Sequence, residues 1–161
     1  MKKILSALLV LTMFITLCAC TDPSPKDFSS NGMTITLTEL FKENTQQGYT
    51  VCYDSPDVAV FVLKEEFSQA EGFGELTLDE YAELVYTANS SKSPSAVTKL
   101  DELTVMEYTF HNESENTTYK YFSTMFKGTD AFFLVQFACE EDKYEAKRDT
   151  FVSWAKTVKV D

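Results

Sequence analysis

The pattern of apolar and polar positions divides the chain into three stretches. Lys2 and Lys3 precede an almost continuous apolar run over residues 4–17. Residues 21–31 are rich in Pro, Ser and Asp and show no hydrophobic period. From residue 32 onward, apolar positions recur with the periods of strands and helices. The pattern predicts a targeting segment over residues 1–19, a flexible tether over residues 20–31 and one folded domain over residues 32–161.

Alternating or continuously apolar runs predict six strands in the domain. The runs are separated by polar stretches that contain Gly, Pro or Ser, which is where turns are expected. The predicted strands cover residues 34–41, 49–54, 58–67, 103–110, 117–127 and 131–139. The third and sixth strands hardly alternate, and this is typical of strands covered on both faces.

Two helices are predicted from capping signals and helical spacing. Thr77 and Glu80 have the spacing of a capping box, and apolar residues follow at positions 78, 81, 82, 85 and 88. Asp142 is predicted to cap a second helix whose third position is Glu145. Three strands, a helix, three strands and a helix predict an α+β domain: an antiparallel sheet of about six strands with two helices packed on it.

In this order of elements the chain resembles PsbP-like proteins. The resemblance lies in the two opening strands, the helix start Leu76-Thr77-Leu78-Asp79-Glu80-Tyr81, and a final strand that leads through an acidic turn to a helix containing Arg148-Asp149-Thr150-Phe151. It covers residues 34–160 and implies an αβα sandwich with a non-catalytic binding or assembly role. No binding motif matches position by position, so the resemblance assigns no functional residue.

The end of the first apolar run resembles a bacterial lipoprotein signal. Leu17-Cys18-Ala19-Cys20 has lipobox spacing, and the run is shorter than the ~20 apolar residues that a membrane-spanning helix needs. The resemblance implies cleavage before Cys20, diacylglycerol on its sulfur, and a lipid-anchored protein on the extracytoplasmic face of the cell membrane. In the alternative interpretation, Cys18 and Cys20 form a metal or redox pair at the end of a segment that is normally removed.

Net charge limits the classes of partner. Removal of residues 1–19 would leave 142 of the 161 residues and change the net formal charge from −11 to −13, because Lys2 and Lys3 are lost and no acid is. An acidic domain lacks the clustered Lys and Arg that nucleic-acid phosphates require, so nucleic acid is excluded as a partner. A composition of 44% hydrophobic and 14% aromatic residues predicts that the domain folds.

Residues suited to catalysis, metals or cofactors are few. His111 is the only histidine, and no Gly-rich phosphate loop is present, so neither a metal nor a cofactor is predicted. Paired acids at 65–66, 79–80 and 140–142 lie at the ends of predicted elements, where caps and solvated faces are usual. We therefore predict a non-catalytic module that binds an unknown protein or small ligand. The alternative is a carboxylate-dependent hydrolase acting on cell-envelope material.

Aromatic residues and cysteines leave two further alternatives. Most aromatics are expected in the core, but Tyr119 and Tyr121 alternate in step on one strand and are the first candidates for a ligand face that binds a sugar or peptide. Cys52 and Cys139 lie in predicted strands and permit one disulfide. Two separate buried thiols are favoured, because a domain of this size does not need a covalent staple.

Overall fold

The computed structural model describes residues 23–161, so the predicted signal segment and Cys20 lie outside the described residues. The described part forms ten strands and two α-helices. The strands are β1 (Pro25–Ser30), β2 (Met33–Thr38), β3 (Lys42–Asn44), β4 (Val51–Asp54), β5 (Ala59–Glu66), β6 (Thr98–Leu100), β7 (Leu103–Asn112), β8 (Thr117–Lys127), β9 (Ala131–Glu140) and β10 (Lys159–Val160). The helices are α1 (Leu78–Ala88) and α2 (Glu141–Ala155).

The strands form two antiparallel sheets. Seven strands follow the order β3-β4-β5-β9-β8-β7-β6, and a smaller sheet has the order β1-β2-β10. The predicted α+β class and the two helices are confirmed. The single sheet of about six strands is corrected, since the first predicted strand, now β2, belongs to the small sheet instead of the large one.

The large sheet is covered on both faces, which gives an αβα sandwich. Successive side chains of a strand point to opposite faces, and those of β9 alternate between two cores. Phe132 and Leu134 pack with α1. Phe133, Val135 and Phe137 pack with α2 and the small sheet. The two cores explain why β9 is buried along almost its whole length without alternating.

The starts of both helices were predicted, but the N-cap predicted for α2 is wrong. Thr77 Oγ1 accepts a hydrogen bond from the Glu80 amide (3.2 Å), and Glu80 Oε2 accepts one from the Thr77 amide (2.8 Å), so the capping box is confirmed. Helix α2 instead has Glu140 at its N-cap, without a side-chain cap, and Asp142 in its first turn. Strand β9 runs directly into α2, which leaves no loop in which Asp142 could act as a cap.

The predicted tether is wrong for residues 25–30, which form β1. This strand pairs with β2 along its full length, and residues Asn31 (φ 53°) and Gly32 (φ 84°) form the two-residue connection, as in a tight hairpin. Only Phe28 of β1 is buried, at 8% exposure. The backbone ladder with β2 therefore supplies the order that the polar sequence of β1 does not show.

Cys52 and Cys139 are buried free thiols, as favoured above. Strand β5 lies between β4 and β9, and Cys139 is three residues from Gln136, the residue aligned with Cys52 through Phe61. Two strand spacings alone therefore put the two Cα atoms at least roughly 9.5 Å apart, beyond the ~7 Å limit for a disulfide. Burial raises the pKa of both thiols. Within residues 23–161, no helix has the length and apolar character needed to span a membrane.

Candidate functional site

Helix α1 covers only part of its face of the large sheet. Its 11 residues span about 16 Å, whereas the 11 residues of β8 extend about 37 Å. The buried side chains of α1 pack with Met106, Met125, Phe132 and Leu134, toward one end of the face. The other end is an open groove of about 410 Å³ between the β4–β5 loop and the β7–β8 turn.

Strand register gives the groove a low floor. Asp54, Ala59, Ala138 and Tyr121 are successive cross-strand partners on β4, β5, β9 and β8. Directly paired residues point to the same face of a sheet, so two alanines lie between a carboxylate and a large ring. The short alanine side chains leave the space that forms the groove.

Aromatic side chains form the walls around the alanine floor. Phe61 lies on β5, two residues from Ala59. Tyr119, on β8, pairs with Phe110 of β7 on one side and with Glu140 of β9 on the other. Phe61 and Tyr119 are half-buried, and Phe110 is 45% exposed. Apolar surface therefore faces solvent on several sides of one concave site.

Four rings form an aromatic row across the sheet: Tyr49, Phe61, Tyr121 and Tyr108. Neighbouring ring centroids in the row lie 4.9, 6.3 and 4.6 Å apart, and the last pair is stacked at an interplanar angle of 7°. Burial raises the pKa of Tyr121 to about 12 and also raises the pKa values of Tyr49 and Tyr108. These three phenols are therefore neutral near pH 7.

The aromatic row rests on a buried polar network. Gln136 Nε2 donates to the Tyr108 hydroxyl (2.9 Å) and to Ser123 Oγ (3.1 Å), and both Gln136 and Ser123 are buried beside the groove. A satisfied buried network restrains the groups that it joins. The stacked rings of Tyr108 and Tyr121 are thereby held in place before any ligand arrives.

Four carboxylates line the groove: Asp54, Asp57, Glu115 and Glu140. Asp54 Oδ2 accepts from the Asn44 side chain, and Glu115 Oε2 accepts from the Tyr119 hydroxyl, each at 2.7 Å. The hydrogen bond to Glu115 raises the pKa of Tyr119. Lys143 Nζ lies 3.3 Å from Glu140 and 3.8 Å from Asp57, at the edge of the site.

The residues singled out from sequence have different places in the structure. Tyr119 and Tyr121 both line the groove, and their role in ligand binding stays a prediction. His111 is exposed, with Nδ1 3.0 Å from Thr118 Oγ1, and does not line the groove. In the part of the chain that the structure describes, no three metal-ligating side chains cluster. Cys20 lies outside that part.

Sequence reasoning missed the other half of the site. Strand β5 was predicted to be covered on both faces, but Phe61 is only half-buried, because α1 does not cover that end of the sheet. Phe110 also escaped notice. The available signal was the pair of small residues, Ala59 and Ala138, in otherwise large-residue strands. Their juxtaposition depends on register, which one sequence does not show.

Solved structures with little sequence identity share this fold. The solution structure of cyanobacterial PsbP (CyanoP) from Synechocystis sp. PCC 6803 matches with a TM-score of 0.56 and 10% identity, covering 89% of this chain and 96% of that chain. A crystal structure at 1.50 Å resolution from Bacteroides thetaiotaomicron VPI-5482 matches with a TM-score of 0.56 and 14% identity, covering 84% of this chain and 48% of that chain. No protein-family model and no curated protein matches the sequence. The PsbP-like fold expected from the order of elements is confirmed.

Proposed function

We propose that this chain is a non-catalytic binding module, held at the extracytoplasmic face of a cell membrane by diacylglycerol on Cys20. The observation that carries the proposal is the groove with its aromatic walls. Phe61, Tyr119 and Tyr121 are half-buried, and Phe110 is exposed, around a floor of two alanines. Clustered apolar surface in a concave site is typical of ligand binding, because a ligand removes that surface from water.

The partners of the groove carboxylates support binding over hydrolysis. A carboxylate-dependent hydrolase needs one carboxylic acid to protonate the leaving group and a second carboxylate to act as nucleophile or base. Asp54 and Glu115 already accept hydrogen bonds from Asn44 and Tyr119. Asp57 and Glu140 lie beside Lys143. Each of the four groups is engaged by the chain itself, as in a structural or recognition role.

A ligand screen tests the binding part of the proposal. The protein, purified from its cell in mild detergent, is screened by saturation-transfer NMR against saccharides, short peptides and small amines. Ala59→Leu fills the groove floor, and Ala146→Leu on the exposed face of α2 is the matched control. We expect at least one ligand class to bind, with binding lost in the Ala59 variant and kept in the Ala146 variant.

Three results of that screen would contradict the binding proposal. They are the absence of any bound class, binding that survives filling of the groove, and turnover of a bound saccharide or peptide. The last result would favour the hydrolase.

The anchor is tested separately, by metabolic labelling with an alkyne fatty acid. Cys20→Ser removes the proposed attachment sulfur, and Cys18→Ser is the control because it changes the neighbouring cysteine and keeps Cys20. We expect the wild type and the Cys18 variant to carry label in the membrane fraction and the Cys20 variant to carry none. Label on the Cys20 variant would refute the attachment site.

A further inference from the structure

We propose that the groove binds an organic cation, meaning an ammonium or guanidinium group carried on an apolar arm. The proposal deepens the function proposed above and rests on it. Its basis is a juxtaposition. Asp54, at the alanine floor, and Glu115, in the turn above Tyr119, form no ion pair within residues 23–161, and aromatic rings lie between them.

The negative charge of the groove favours a positively charged ligand. Among the residues that the structure describes, four carboxylates and no Lys, Arg or His line the groove. Asp57 and Glu140 lie within 4 Å of Lys143, whereas Asp54 and Glu115 form no ion pair within residues 23–161. Two negative charges thus remain outside the ion pairs of residues 23–161, one on β4 opposite its cross-strand partner Lys42 and one in the β7–β8 turn. Opposite charge attracts a cation to such a site and repels an anion.

Hydrogen bonds orient Asp54 and Glu115, the two groove carboxylates that are not in ion pairs within residues 23–161. Asn44 donates to Oδ2 of Asp54, and Tyr119 donates to Oε2 of Glu115. A carboxylate offers about four acceptor positions on two oxygens, so each group keeps capacity for another donor. A guanidinium or ammonium group supplies donors and charge together, and charge-assisted hydrogen bonds are stronger than neutral ones. The chain has therefore positioned acceptors whose natural complement is cationic.

The shape of the groove and its aromatic walls favour a ligand whose cation is carried on an apolar arm. The floor from Asp54 to Tyr121 crosses three strand spacings, roughly 14 Å between Cα atoms, and its centre consists of alanine methyl groups. An aliphatic chain lying on Ala59 and Ala138 contacts Phe61 on one side. The aromatic row already accepts an ammonium group at its far end, where Lys92 Nζ lies 4.8 Å from the Tyr108 ring centroid.

A matched peptide pair measures the contribution of the cation. N-acetyl-phenylalanyl-arginine amide and its citrulline counterpart have nearly the same shape, but only the first carries a charge. Isothermal titration calorimetry with the detergent-purified protein compares them at 50 and 300 mM NaCl. We expect the arginine peptide to bind roughly tenfold more tightly at 50 mM NaCl, with a smaller advantage at 300 mM, because salt screens the attraction.

Isosteric variants locate the charge that is recognised. The double variant Asp54→Asn, Glu115→Gln removes both carboxylate charges. It keeps an amide oxygen at each position to accept the hydrogen bonds from Asn44 and Tyr119. Glu83→Gln with Asp149→Asn, both exposed and outside the groove, is the control, because it changes net charge by the same two units. We expect the groove pair to lose the arginine preference and the control pair to keep it, with melting temperatures close to wild type in both.

Four outcomes would overturn the cation proposal. They are equal affinity for the two peptides, a preference that survives in the groove pair, a preference lost equally in the control pair, and no binding of either peptide. If the screen described above finds a neutral saccharide in the groove and neither peptide binds, the ligand class is wrong while the binding function stands. If no ligand of any class binds, both proposals fail.

Discussion

Replacing Tyr53 by phenylalanine isolates the effect of one buried hydroxyl. Tyr53 is 0% exposed, its ring packs 5.0 Å from that of Phe28, and its hydroxyl has no hydrogen-bond partner within residues 23–161. Leaving a buried polar group unsatisfied costs about 1–3 kcal/mol. Phenylalanine keeps the ring contacts and removes the hydroxyl, so we expect Tyr53→Phe to raise the free energy of unfolding by about 1 kcal/mol at pH 7.

The same substitution has a second effect at alkaline pH. Burial raises the pKa of Tyr53 to about 12 and also raises the pKa values of Tyr81, Tyr108 and Tyr144. The folded state keeps these protons while the unfolded state loses them near pH 10. The free energy of unfolding is therefore unaffected by these groups below pH 10 and falls above it, by about 1.4 kcal/mol per pH unit for each tyrosine.

Urea unfolding followed by circular dichroism from pH 7 to pH 11 measures both effects. Tyr53→Phe should reduce the alkaline slope by about 1.4 kcal/mol per pH unit. Tyr81→Phe is the control, because its hydroxyl donates to Glu65 at 2.6 Å. It should reduce the slope equally but lower stability at pH 7 by about 1.5 kcal/mol. Loss of stability at pH 7 in the Tyr53 variant, or an unchanged slope, would refute the reasoning.

Three further predictions concern local contacts. Thr77→Ala removes the N-cap of α1 and should cost about 1 kcal/mol in urea unfolding at pH 7, and no change would show that the cap is dispensable. Cys52 and Cys139 should react with a thiol reagent as two free thiols only after denaturation, and a count of zero would indicate a disulfide. Glu107→Gln removes the negative charge of the acceptor that binds Arg148 Nε (3.0 Å) and Nη2 (2.8 Å), which should cost about 1 kcal/mol in the same assay, whereas full stability would mean that the ion pair contributes nothing to folding.

Elements with local signals were predictable from the sequence. Strand β8 was predicted with the bounds that the structure shows, because its large residues recur at alternate positions, and β9 was predicted with one residue missing, because it is continuously apolar. A Gly-containing turn separates the two strands. Helix α1 was predictable because Thr77 and Glu80 act within one helical turn. In these elements the stabilising contacts are close in sequence, so the pattern of residues describes them adequately.

Elements that are ordered by backbone pairing more than by buried side chains were missed. Strand β1 has one buried side chain, Phe28, and is ordered by its ladder with β2. Strands β3, β6 and β10 have two or three residues each and lie at sheet edges. Their backbone groups hydrogen-bond to a neighbouring strand, and the pattern of side chains does not show that pairing. Composition therefore indicated a loop or a tether where the fold supplies a strand.

Only the tyrosine side of the groove was predictable, for a related reason. Tyr119 and Tyr121 stand out because they alternate on one strand, and alternation is a local property. The alanine floor arises only where β5 and β9 pair in one particular register. The exposure of Phe61 depends on where α1 ends over the sheet. Both are relations between segments that lie far apart along the chain, and a single sequence contains no direct record of them.

The order of β1 shortens the distance over which an anchored domain can move. If Cys20 carries the lipid, the chain from Cys20 to the first residue of β1, Pro25, extends at most about 18 Å. A free tether through residue 31 would have reached about 40 Å. Ser24 accepts a hydrogen bond from the Glu39 amide (2.8 Å), and Lys42, three residues further on, pairs with Asp54 of the groove. The groove would then lie within a few nanometres of the headgroups, close enough to contact groups that project from the bilayer surface.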